Sequence, residues 1–216
     1  MKNPGVRCAV AALLLSGAVT AHAQSSYWYS GLGVGYSRIQ FYPADFQTLP
    51  TDTKKEFDAG FKGFLGYQLS RNWAAEVSYA TVGKFKYKVE NPGTGISENR
   101  DYKVTGVGFA LIPTVPFTRK FSVFGRFGAF FSQSVINIHN PGGVSNGIVV
   151  SVQDSEPTFL TGFGMQYFFA GESGIRIEFE NLGTVGNGCN PGQTLGVDCT
   201  GRANAKMASV SAVFKF

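Results

Sequence analysis

Histidine, cysteine and charge are all scarce in this chain, and each scarcity excludes something. Only 2 histidines and 3 cysteines occur in 216 residues. Cys189 and Cys199 have no histidine near them in sequence, so a thiolate–imidazole metal centre is not expected. Hydrolysis through a histidine base would have to use His139, in Asn137-Ile138-His139-Asn140-Pro141. That motif falls in a long polar segment. Ser145 and Ser151 are close in sequence, but nothing fixes a nucleophile within reach of the ring. A nucleophile elbow, a phosphate loop and an HExxH pair are all missing. No enzyme activity, no cofactor and no metal are therefore expected. Charged residues make up 15% of the chain, with 19 Lys and Arg against 14 Asp and Glu. The isoelectric point near 9.1 hints weakly at anionic partners. Without a basic cluster joined to a recognition motif, no nucleic-acid partner follows.

Long apolar runs are also missing. The one near-continuous run, residues 8–19, is too short to cross a bilayer as a helix. It follows Lys2 and Arg7 and precedes Ala21-His22-Ala23, a small-x-small cleavage pattern. Residues 1–23 thus read as a secretory signal peptide, leaving 24–216 as one domain. Cys8 opens the run instead of closing it, so it is not the acylated cysteine of a lipoprotein.

What is abundant is glycine (28) and phenylalanine (20), at a mean hydropathy of 0.00. Alternation explains that combination. In the final stretch Ala208, Val210, Ala212, Phe214 and Phe216 recur every second residue, the period of a strand with one apolar face. A free edge there would invite aggregation, and pairing with the first strand, after Trp28, removes it. The same alternation marks seven further strands, separated by polar segments at 42–56, 83–100, 133–157 and 183–201 and by short turns at 70–72, 113–120 and 171–174. Connections alternate long and short, as they do in outer-membrane barrels, which put short turns in the periplasm and long loops outside. Aromatic residues sort to both strand ends on the apolar parity: Trp28, Tyr67, Trp73, Phe214 and Phe216 at one, Tyr36, Phe61, Tyr79, Phe131 and Phe179 at the other. Two aromatic girdles are what two membrane interfaces call for. The fold expected is an all-β, eight-stranded antiparallel up-and-down transmembrane β-barrel.

These residues resemble the small outer-membrane barrels typified by the transmembrane domain of outer membrane protein A (OmpA). Phe61-Lys62-Gly63-Phe64-Leu65-Gly66-Tyr67-Gln68-Leu69-Ser70-Arg71-Asn72-Trp73-Ala74-Ala75-Glu76-Val77-Ser78-Tyr79 looks like the second hairpin of that family. Phe214 and Phe216 look like the signal that barrel-assembly machinery reads. The resemblance implies the outer membrane of a Gram-negative bacterium. Because the sequence stops at the barrel, peptidoglycan anchoring is not carried over.

The inward parity holds Lys62, Glu76, Arg126, Arg176 and Glu178, with Glu180 near the rim. Buried charges need partners, so a salt-bridged plug is expected, with Lys62 and Glu76 as neighbours in one hairpin and Arg126 against Glu76 or Glu178. An ion path is the alternative. Bulky inward residues such as Tyr29, Phe64, Phe124 and Phe130 face bare glycines, which either fills the lumen or leaves a conduit for a hydrophobic solute, as in OmpW-like barrels. In the loops, Asn-Pro-Gly at 91, 140 and 190 reads as turn punctuation. Cys189 and Cys199 are expected to form a disulfide worth about 2–3 kcal/mol in the chain-entropy model. Lys84, Lys86 and Lys88 offer either a solvated rim or contact with lipopolysaccharide phosphates.

The leading expectation is a non-enzymatic, monomeric surface barrel with a plugged lumen and four long extracellular loops, with a structural or adhesion role. Its partners would be outer-membrane lipid and lipopolysaccharide, the assembly machinery, and a host or surface ligand bound through the loops. A small pore or hydrophobic-solute conduit is the alternative.

Overall fold

Antiparallel pairing runs without a break around the molecule and returns to its start. In the computed structural model, residues 26–46, 53–91, 96–139, 149–190, 193, 195 and 198–216 are described. The signal-peptide expectation for 1–23 and most of the Asn-Pro-Gly motifs lie outside them. The strands are β1 (Tyr27–Phe41), β2 (Thr53–Lys55), β3 (Phe57–Ser70), β4 (Trp73–Asn91), β5 (Ile96–Pro116), β6 (Phe121–His139), β7 (Val149–Ala170), β8 (Ser173–Val185) and β9 (Ala203–Lys215). One helical turn, α1 (Pro43–Phe46), follows β1. β1 pairs with β3 on one side and β9 on the other, and the β4–β5 pairing completes the ring of eight. β2 pairs edge to edge with the outer part of β4, on the edge that β3 pairs with further down the strand.

The seam closes where the alternation of the last stretch requires. Phe216 N–H donates to the Trp28 carbonyl at 2.9 Å, and Trp28 N–H returns a bond to Phe216 at 3.2 Å. Within the aromatic-bounded part of the wall each strand pairs with a neighbour on both sides, the condition for a sheet to cross hydrocarbon. Parity follows the sequence. Val210, Phe214 and Phe216 point outward, whereas Ser209, Ser211 and Val213 are buried. The outward aromatics gather at both ends of the wall. Trp28 packs on Tyr67 with ring centroids 4.9 Å apart, and at the other end Tyr36 stacks on Phe57 at 5.4 Å.

Two differences from the sequence reading matter. The polar segments are shorter than alternation suggested, because β4, β5, β6 and β7 run far beyond the aromatic belt as paired ribbons. Their outer halves lose the clean apolar parity, since they have water on one side, so a hydropathy criterion ends them early. Second, the parity resets inside two strands. Register shifts fall between Thr81 and Gly83 and between Asn181 and Gly183. Gly83 (φ 122°) and Gly183 (φ 80°) take the left-handed backbone these bulges need. Past the bulge Phe85 is fully buried, while Lys84 and Lys86 face out.

The lumen packs by pairing rings with glycines. A Cβ on Gly66 would fall inside the Tyr29 ring, and one on Gly31 would strike Phe64. Phe124 occupies the space beside Gly164, and Phe130 that beside Gly106.

Candidate functional site

Six charged side chains meet midway along the barrel interior. Lys62 comes from β3, Glu76 from β4, Arg126 from β6, and Arg176, Glu178 and Glu180 from β8. Each occupies an inward position set by the strand period, and each side chain is at most 2% exposed. Arg126 donates to Glu76, to Glu178 Oε1 at 3.1 Å and to Ser78 Oγ at 2.8 Å. Its Nε sits 3.1 Å from Glu180 Oε1 as an ion contact without hydrogen-bond alignment. Arg176 donates to Glu76 Oε2 at 2.7 Å and to Gln166 at 3.0 Å. The Tyr29 hydroxyl donates to the same Glu76 oxygen at 3.2 Å. Lys62 Nζ reaches Glu178 at 2.7 Å and Glu180 at 2.8 Å.

Three cations thus meet three carboxylates, and the cluster is neutral. Each carboxylate touches at least two cations, which is what makes burial of charge tolerable in a narrow interior. Aromatic rings take up the remaining positive field. The Arg176 guanidinium lies 4.5 Å from the Phe64 centroid and 4.7 Å from that of Phe124.

Lys62, Glu76, Arg126, Arg176 and Glu178 therefore come together, but two expectations about them fail. Lys62 is not a neighbour of Glu76. In the β3–β4 register Lys62 opposes Ala80 while Glu76 opposes Gly66. The hairpin places them too far apart along the strands, and Lys62 crosses the lumen to β8 instead. Glu180 is not a rim residue either; it is a full member of the cluster, 5% exposed. Ser78, Gln166 and Tyr29 were missed as partners. Their inward parity was legible, but contacts across a barrel do not follow from sequence spacing.

Apolar layers flank the cluster. Toward the long-loop end stand Phe130, Leu160, Met207 and Val82, all buried. Toward the short-turn end the interior narrows to a cavity of about 10 Å³ beside Tyr29, Ile112 and Arg176, room for a single water at most. Below it opens a polar vestibule of about 380 Å³ lined by Gln68, Arg71, Lys120 and Lys215.

Contacts that the sequence did not announce tie segments together at the long-loop end. α1 drops Phe46 onto Phe41 and Tyr102, with ring centroids 4.6 Å and 6.0 Å away. Asp45 accepts from the Arg202 backbone at 2.9 Å and from its guanidinium at 2.8 Å and 3.2 Å. Those bonds from Arg202 hold the Asp45 carboxyl below the ordinary carboxylate range. The Tyr102 hydroxyl donates to the Gly201 carbonyl at 3.1 Å, and burial pushes its pKa up. Cys189 and Cys199 are joined as a disulfide, Cα atoms 5.4 Å apart, in the same segment. The available signal was the pair Phe41 and Phe46 at the edge of a polar stretch, residues that had to be buried somewhere.

His139 ends β6 on its outward face, a correction to its expected loop position. It lies 3.3 Å from Asp101 on β5, half-exposed.

Comparison with known proteins agrees with this architecture. The family model for the OmpA-like transmembrane domain matches residues 23–216. Outer membrane protein A of Salmonella typhi is 25% identical over 187 residues, 87% of this chain and 50% of the relative. The chain thus spans about half the length of that relative. Among solved structures, Neisserial surface protein A superposes with a TM-score of 0.51 at 12% identity, covering 89% of this chain and 100% of the other. The outer membrane protein OprG from Pseudomonas aeruginosa also gives 0.51 at 12% identity, covering 90% and 97%. At such identities the likeness is one of fold.

Proposed function

The chain belongs to the OmpA-like transmembrane domain family, and from that premise we propose that it is a non-enzymatic surface barrel of the Gram-negative outer membrane with a closed lumen. Its wall stiffens the membrane, and its four long connections are presented outside for contact with other surfaces. The observation that carries the closed lumen is the neutral six-residue cluster, spanning from β3 and β4 to β6 and β8 with every side chain at most 2% exposed. An ion path would need unpaired charge facing water, whereas here each carboxylate is engaged twice. The disulfide and the Asp45–Arg202 clamp favour a stiff, presented outer end over a gate. In this reading Phe214 and Phe216 serve assembly, since they end the strand that closes the seam.

A liposome-swelling assay tests the reading. Vesicles carrying the refolded chain should swell no faster in small sugars than empty vesicles. Swelling at porin-like rates would sink the closed lumen. A hydrophobic-solute conduit remains the second reading, favoured by the apolar layers above the cluster. Uptake of an alkane or small aromatic into lipid vesicles through the refolded barrel would select it.

A further inference from the structure

The outward wall carries a feature that neither the lumen nor the loops use. Tyr36, Ala208, Phe179 and Phe163 stand side by side across β1, β9, β8 and β7 in the observed registers. Ala208 is the small member, so the row is notched between two exposed rings, and the notch has a volume of about 480 Å³. Two residues further toward the long-loop end, Arg38 lies directly opposite Lys206, and Lys206 opposite Asn181. All three line the notch.

Like charges placed directly across a strand pair destabilise it. Arg38 has partial relief from Glu56 at 3.9 Å and from the Phe57 ring at 5.3 Å. Lys206 has no ion-pair partner among the described residues, so the pair retains net positive charge. Above it a second cleft of about 470 Å³ shares Lys206 and Asn181 and adds Gln40, Asn204 and Tyr42. From one side to the other the surface therefore runs apolar, cationic, then amide-rich.

We propose that this strip binds a phosphorylated glycolipid of the outer leaflet. One acyl chain lies in the notch over Ala208 between Tyr36 and Phe179. A phosphate bridges Arg38 and Lys206, which turns their repulsion into two charge-assisted contacts. The amides of Gln40, Asn204 and Asn181, each with donors and acceptors, meet sugar hydroxyls. A free anion would use the cations but leave the notch empty, and an uncharged lipid would fill the notch but leave the cations opposed. The site depends on the outer-membrane location and is independent of whether the lumen is closed.

The test uses the refolded full chain in micelles of a neutral detergent, with native mass spectrometry reading lipid affinity. The probes are bis-phosphorylated lipid A, the same lipid with both phosphates removed, and inorganic phosphate. Wild type should bind the phosphorylated form at least about tenfold more tightly than the dephosphorylated form, as loss of charge-assisted hydrogen bonds predicts. The double substitution Arg38→Gln/Lys206→Gln should erase that preference, and Lys206→Gln alone should reduce it. Ala208→Trp, which fills the notch, should weaken both lipids. Arg119→Gln/Lys120→Gln, exposed in the short turn between β5 and β6 at the opposite end of the barrel, should change neither. Equal affinity for the two lipids overturns the proposal, as does wild-type binding by the double variant or an equal loss in the Arg119/Lys120 control. Displacement of the lipid by millimolar inorganic phosphate overturns the acyl-chain part. Boiled-versus-unboiled gel migration confirms that each variant is folded. In phosphate-free micelles the double variant should unfold no earlier than wild type, and earlier unfolding would contradict the opposed-charge premise.

Discussion

Arg126 on β6 hydrogen-bonds Glu76 on β4 across the barrel interior, although β5 lies between their strands and 50 residues separate them in sequence. This contact, which no single hairpin could make, ties the wall together through its centre. Glu76 is also held by Arg176 and Tyr29, so its removal would leave two guanidiniums facing one another in a space closed to water.

Glu76→Ala should therefore lower the unfolding free energy by about 3–5 kcal/mol, the usual penalty for stranding a buried partner. Replacing Glu76 and Arg126 together should lose less than the two single losses added, since the pair is coupled. Urea unfolding in lipid vesicles measures both. Additive losses would show that the two side chains do not interact.

Bulk at the inner glycines should be costly where a ring already occupies the space. Gly66→Val would drive the Tyr29 ring away from Glu76 and should cost about 1–3 kcal/mol through overpacking. Gly171, in the turn before β8, has nothing within 4 Å of a new Cβ. Gly171→Ala should fall within about 0.5 kcal/mol of wild type. The same urea titration compares them.

The strap at the long-loop mouth should loosen in acid. The Asp45 carboxyl is held below its ordinary range chiefly by hydrogen bonds from Arg202. A carboxyl with a lowered folded value contributes stability that is complete above the unfolded value, about 3.9, and fades as pH falls through the folded one. Protection factors against hydrogen exchange at 198–202 should thus be high at pH 7 and fall below about pH 4, while those of β8 and β9 hold. Asp45→Asn should show the acid pattern already at pH 7. Equal protection at both pH values would mean that the clamp does not hold the strap.

Much of this was legible from period alone. Alternation at 208–216 gave the strand, its outward face and the need for a partner, and Trp28 supplied the other side of the seam. It also assigned Lys62, Glu76, Arg126, Arg176 and Glu178 to the interior, because parity is a local property. Partner choice is not local. Lys62 reaches β8 because barrel closure brings β3 and β8 near each other across the lumen, a fact of curvature and register. The outer halves of β4 to β7 were cut short because their pattern weakens where lipid ends, and the bulge glycines Gly83 and Gly183 shift the parity besides. The strap of Asp45, Phe46, Tyr102 and Arg202 joins segments over 150 residues apart, with only stray aromatics in a polar stretch to suggest it.

Planar-bilayer recording of the refolded chain tests the central claim most directly. With the six charges paired across the lumen, wild type should show no stable unitary conductance in molar salt, whereas Arg126→Gly, which empties the middle of the cluster, should open small resolvable steps. A steady wild-type conductance that disappears when Arg126 or Glu76 is replaced would contradict the account, because those side chains would then line a path instead of blocking one.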